Sequence, residues 1–406
     1  MPRSLSVALA LTVLLSALAC DVEYARASRS DTDMWRPGDD DTGDDARDDA
    51  PDATSEPEPI VVTTGTLQRF GHLIWAGDRY AIDWIENIAG HLFVVLAFLD
   101  PQRGLLGEPI VVSPDYAWNP DAPDASPQSS AIFWDGEAVQ VYWADETKIE
   151  LARHAVDGAL VSPIRTAVEG VGPHAYLHGV LPRTGGGTIV VWRDDRDEPY
   201  RYLPQLARVL PDRVTTERIA LVDNPQTVDV GGVVINPACA CIELAWKAYT
   251  PPTERTRVML SRFDEAGQRV MDDRTVFEGD TVHFTFTGEG LVPGVVGVWD
   301  YDRGAFLQWS TLDQGPSPTV ALPESGGRPA LARSEDGAVV AAISPSLGSS
   351  ALLIHTLDAS SGALLSSGEV PGSSDETLDA ATITASGDGF GVLMDRRRDV
   401  VFVRLP

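Results

Sequence analysis

The chain has 406 residues, 60 acidic against 31 lysines and arginines, for a formal net charge of −29. A surface this negative disfavours nucleic acid and anionic headgroups as partners and favours cationic ligands or proteins. No segment beyond the N-terminus is an apolar run of the ~20 residues a membrane span needs.

The first residues, MPRSLSVALALTVLLSALAC, place a lone Arg3 before an apolar stretch from Val7 to Leu15 and small residues before Cys20. That pattern is an export signal, too short to span stably. Its ALAC end resembles the lipobox of bacterial lipoproteins, with Ala17 where leucine is most usual. The resemblance implies a signal peptide over residues 1–19, lipidation of Cys20, and anchorage to a membrane of the bacterial cell envelope, facing the periplasm or the exterior. Asp21 would favour the inner membrane under the enterobacterial rule, which other bacteria do not follow, so the choice of membrane stays open.

Residues 20–57 form an acidic segment; from Asp21 to Pro59 there are fourteen acidic residues and four arginines. Self-repulsion and scant apolar surface predict an extended, disordered tether. Its run GDDDTGDDARDD lacks the ligand spacing, glycine and closing glutamate of an EF-hand loop, so no calcium site is expected.

From residue 58 to 406 the chain is a procession of short β-rich runs separated by Gly, Asp and Pro turns, which predicts an all-β domain. Five strands end in tryptophan, YAIDW, VQVYW, TIVVW, IELAW and VVGVW, closing at Trp84, Trp143, Trp192, Trp246 and Trp299. A strand and a tight turn precede each, and further strands follow. This repeat resembles that of a β-propeller, counted as seven four-stranded blades beginning near Phe70, Ser130, Tyr176, Thr227, Thr281, Arg328 and Leu378. The last unit supplies only three strands. EPIVVTTG, from Glu58, matches GEPIVVSP, from Gly107, the outer strand of the first unit. An N-terminal strand should therefore pair with the C-terminal blade and close the ring. The tryptophans are expected to pack between sheets.

In such a ring, the hairpins between second and third strands and the connections between blades share one face. Its charged and aromatic loops nominate Tyr116, Trp118, His174, His178, Asp195, Asp302, Arg303 and Arg396 as ligand contacts for a glycan or a charged peptide. His174 and His178 are four apart, but their glycine-rich surroundings argue against zinc, and no metal or cofactor is expected. His72, His91, His154, His283 and His355 are scattered singly and read as structural. Cys239 and Cys241, two apart in NPACACIEL, are a candidate disulfide if Asn236-Pro237 bends the chain; buried thiols are the alternative.

No serine elbow or phosphate loop is present. Carboxylate pairs for glycoside hydrolysis could be drawn from Asp83, Glu86, Asp195 or Asp302, but among 60 acids such a choice is arbitrary. The reading is a membrane-anchored, non-catalytic binding or scaffolding propeller whose partner is an envelope protein or glycan. Its rival is a secreted polysaccharide-active hydrolase or lyase.

Overall fold

The computed structural model describes residues 58–406 apart from 65, 70, 118–126, 128, 146, 173–174, 184, 195–202, 223–226, 237–238, 251–254, 280–281, 288–293, 301–303, 311–318, 348–350, 375–377, 388 and 397–398. The signal peptide, Cys20 and the tether to residue 57 thus lie outside the described residues.

Strand alternation produces seven antiparallel sheets. Their inner strands are Leu73–Trp75, Ser130–Trp134, Tyr176–Pro182, Thr227–Asn236, Val282–Thr287, Ala330–Arg333 and Leu378–Ser386. Each packs on the next, and Leu378–Ser386 packs on Leu73–Trp75, so the seven inner strands form a closed ring. The molecule is a seven-bladed β-propeller.

The predicted closure is present. Ile60–Thr63 pairs antiparallel with Asp399–Leu405, aligning Ile60 with Phe402 and Val61 with Val401, and supplies the fourth strand of blade 7. The matching segment Ile110–Val111 takes the outer position in blade 1, against Leu96 and Val95. Blade 1 departs from four regular strands. Its outer edge is split into Gly104–Leu105, Ile110–Val111 and Tyr116–Ala117, and Thr66–Arg69 adds a further strand on the inner side. Pro109 and Pro114 have no N–H to donate and interrupt the outer ladder.

Hairpin chemistry follows the sequence. Gly136 and Gly337 adopt φ of 96° and 72°, the left-handed region that glycine occupies without steric cost. At turns leaving third strands, an aspartate accepts backbone N–H bonds: Asp100 from Gln102 and Arg103, Asp264 from Ala266 and Gln268, Asp358 from Ser360 and Ser361. Hydrogen bonds from Ser360 and Ser361 hold the Asp358 carboxyl at about 2. Part of the chain's acidity is thus turn chemistry.

The core is a circuit of interblade clusters. Trp84, Ile82 and Leu73 of blade 1 meet Val62, Leu393 and Phe402 of blade 7. Trp143 fills the seam between blades 1 and 2, Trp192 that between blades 2 and 3, and Trp246 that between blades 3 and 4. These four rings are buried, whereas Trp299 is only partly so. Each buried indole removes on the order of 150–250 Å² from water. Polar handles orient three of them: Trp84 Nε1 donates to Glu86 (3.0 Å), Trp143 Nε1 to Tyr116 (3.0 Å), and Trp246 Nε1 to Ser261 (2.8 Å).

Candidate site at the channel end

All inner strands run alike around the ring, so their first residues gather at one end of the central channel. Blade 3 contributes Tyr176 and His178 from its inner strand and Arg193 from the strand beside it. Tyr176 is register partner of Arg193, and the register skips between Leu177 and Gly179, making His178 the inserted residue of a bulge. Inner strands of blades 4 and 7 also skip a residue near their starts, at Val228 and Asp379. A bulge twists the strand locally and re-aims side chains.

The Arg193 guanidinium carbon sits 5.2 Å from the Tyr176 ring centroid, a cation–π arrangement. The Tyr176 and His178 rings are 5.4 Å apart. His178 is fully enclosed, while Tyr176, Arg193 and Arg328 keep partial exposure. Burial first, then the charges of Arg193 and Arg328, hold the His178 imidazole well below its ordinary range, keeping it neutral. Arg328 begins blade 6, three blades away, so its influence on His178 crosses the ring. In blade 5, His283 stacks on Trp299 with centroids 5.4 Å apart.

Blade 1 carries a buried acid–base contact. Asp83, fully enclosed, accepts from the His72 backbone N–H (2.7 Å) and lies 3.2 Å from His72 Nδ1. Its Oδ2 has no protein donor among the described residues. In blade 6, the buried Ser325 hydroxyl is 3.0 Å from His355 Nε2, and Ser367 is 3.0 Å from His355 Nδ1. Ser344 donates to Ser325 (2.6 Å). Ser325 and His355 are 1% and 0% exposed, so this dyad has no access for a substrate and is a packing network.

Of the residues nominated from sequence, Trp118, His174, Asp195, Asp302 and Arg303 lie outside the described residues. Tyr116 is engaged in a blade 1–blade 2 network: it donates to Glu150 (3.0 Å), which also takes Lys148 (2.7 Å). Burial pushes its phenol pKa up. Arg396 forms a two-pronged pair with Asp399 (2.7 and 2.8 Å) across its own hairpin. Cys239 and Cys241 are joined as a disulfide with Cα atoms 5.2 Å apart. The two do not share one extended strand: Cys239 lies in a turn, Ala240 takes φ of 48°, and Cys241 begins the next strand.

Sequence reasoning passed over Tyr176, Arg193 and Arg328 as ligand contacts. Tyr176 and Arg328 each stand at the start of a repeat unit, so aligning the unit starts would have singled them out. Among the described residues, no group of three or more His, Cys, Asp or Glu could hold a metal ion, and no helix is long and apolar enough to cross a membrane.

No protein-family model and no curated protein sequence matches the chain. Among solved structures, it is similar to the β-propeller domain of Cps50 (Swd1) from Myceliophteria thermophila, at 12% identity and a TM-score of 0.49, covering 86% of this chain and 100% of that one. The ring described above rests on its own strand pairing.

Proposed function

We propose that the protein is a lipid-anchored component of the bacterial cell envelope whose propeller is a non-catalytic binding or scaffolding module. The observation that carries the binding role is the cluster of Tyr176, His178 and Arg193 at one end of the two innermost strands of blade 3, with the charge of Arg328 from blade 6 also acting on His178. Strands hold Tyr176, His178 and Arg193, so the ordering cost of these three is met by the fold. The lipobox-like ALAC and the acidic segment after it support anchorage and display.

Of the four acids named for hydrolysis, the two among the described residues support the same reading. Asp83 is enclosed against His72, and Glu86 accepts from Trp84, so both serve the fold.

Anchorage is tested by expressing the chain in a bacterium that processes lipoproteins, feeding an alkynyl fatty acid, and comparing it with Cys20→Ala. Label on the parent, absent from the variant, is the expected result; an unlabelled, freely soluble parent contradicts anchorage. Binding is tested by capture of solubilised envelope proteins and neutral glycans, with product release assayed in parallel. Turnover of any glycan would replace this reading with the hydrolase.

A further inference from the structure

Blade 4 joins its inner and second strands by a different chemistry from its sisters. In the other six blades the joining segment contains glycine, at Gly77, Gly136, Gly185, Gly288, Gly337 and Gly387, whereas blade 4 has NPACAC. Here Ala240 takes the left-handed φ of 48°, and the flanking Cys239 and Cys241 are bonded to each other. Alanine in that region is costly where glycine is not, and such strain gathers at functional sites. The fold does not need the bridge as a staple. Register pairs Asn236–Cys241 and Ile235–Ile242 already close the hairpin, and tying a loop of three residues removes little entropy from the unfolded chain. The two sulfurs also differ in access, because Cys239 is exposed and Cys241 is only 3% exposed.

We propose that this hairpin reversibly captures the thiol of a partner as a mixed disulfide on Cys239. The partner's thiolate forms a bond to Cys239 Sγ, the Cys239–Cys241 bond breaks, and its electron pair leaves on Cys241 Sγ. Cys241 then takes up a proton in place of the one the partner's thiol gave up, so capture consumes no outside oxidant or reductant. Enclosure favours the neutral thiol at Cys241, which slows its return and prolongs the adduct. Opening the bridge also lets Ala240 leave the left-handed region, which favours capture over the closed pair. Release is the reverse step: the Cys241 thiolate attacks Cys239 Sγ, and the partner departs as its thiol. The inner strand Thr227–Asn236 begins at the channel end that holds Tyr176 and finishes at this hairpin. Capture therefore goes beyond the binding role above and does not depend on it.

The thiol belongs to a small molecule or to a cysteine of a polypeptide, and the experiment separates the two. The full mature chain in detergent, without denaturant, is exposed to millimolar reduced glutathione or to a short peptide with one cysteine, then acid-quenched, alkylated and mapped by mass. Expected is an adduct on Cys239 and alkyl label on Cys241, with the opposite arrangement about tenfold rarer or less. Adduct from the peptide assigns a polypeptide cysteine; adduct from glutathione alone assigns a small thiol. In Cys241→Ser, adduct formed with oxidised glutathione should outlast the parent's by about tenfold once free thiol is removed, since the returning sulfur is gone. Opening the bridge should lower the melting temperature by no more than about 3 °C, as suits a loop of three residues. A pair that stays joined until denaturant unfolds the chain, adduct mainly on Cys241, or a larger loss of melting temperature on opening overturns the proposal. If Cys241→Ser does not fold, adduct mapping and melting of the parent carry the test.

Discussion

Two copies of one short sequence occupy equivalent places under different covalent circumstances. Ile60–Val61–Val62 closes blade 7, some 340 residues before the strand it pairs with, whereas Ile110–Val111–Val112 lies within blade 1, close in sequence to its partner. Their burial matches: Val62 and Val112 are 3% and 4% exposed, and Val61 and Val111 are 47% and 50% exposed. Each isoleucine also lies against a glycine of the next blade; a Cβ on Gly104 would sit 3.7 Å from Ile60, and one on Gly158 would sit 2.7 Å from Ile110. The outer position is thus set by the local alternation of the strand and its contact with the neighbouring blade, and does not depend on chain connectivity. Only the consequence of losing it differs, because the terminal copy also holds the ring shut.

The largest effect should come from a charge in the terminal copy. Val62→Asp is expected to cost more than about 3 kcal/mol, by burying an unpaired carboxylate and releasing the seam between blades 7 and 1. Val112→Asp should cost less, since blade 1 keeps its chain connections. Denaturant melts and hydrogen exchange over Asp399–Leu405 check the contrast; equal losses and equal exchange in both variants would remove the closing role.

Milder truncation should abolish the contrast. Val62→Ala and Val112→Ala are each expected to cost roughly 1–2 kcal/mol, by loss of two buried methyl groups without a charge. A difference of more than about 1 kcal/mol between them would mean that connectivity governs the position after all.

The same seam has a polar tie between distant parts of the chain, the Tyr80 hydroxyl bonded to Ser386 at 2.6 Å. Tyr80→Phe should lower stability by about 1 kcal/mol. Wild-type stability in this variant would assign the seam wholly to its apolar contacts.

The smallest effect concerns acid, and should fall elsewhere. Burial pushes the His355 pKa down, against a smaller opposing pull from Glu324. Between that lowered value and the ordinary 6.5, the unfolded chain binds more protons than the folded one. Stability is therefore full above about pH 6.5 and falls as pH drops through it, by at most about 1.4 kcal/mol per pH unit for this one group. Exchange should loosen in blade 6 before either valine copy, and His355→Asn should make this limb shallower, with the share of His178, whose pKa is lowered as well, remaining. Flat stability from pH 7 to 5 in the parent would contradict it.

Much of the architecture was legible because its signals are local. Alternating strands, Asp–Gly turns and tryptophans near fifty-residue spacing each need only neighbouring residues, and the repeated EPIVV disclosed the closure. The candidate site was less legible. Tyr116 and Arg396 stood out for their residue type, yet Glu150 and Asp399 engage them. Cys239 and Cys241 left disulfide and buried thiols both open, and the turn with left-handed Ala240 between them brings the sulfurs together.

By itself, the sequence determined the all-β class, seven units and the split blade, because hydrophobic alternation and turn residues act over a few positions of chain. Only the tertiary structure decided which side chains meet at the channel end. Tyr176 and Arg328 lie about 150 residues apart, and although the repeat marks both as unit starts, it does not show that their charges and rings act on one histidine. Ring closure brings blades 3 and 6 to opposite sides of one channel, where burial weakens solvent screening and lets the Arg328 charge act on His178.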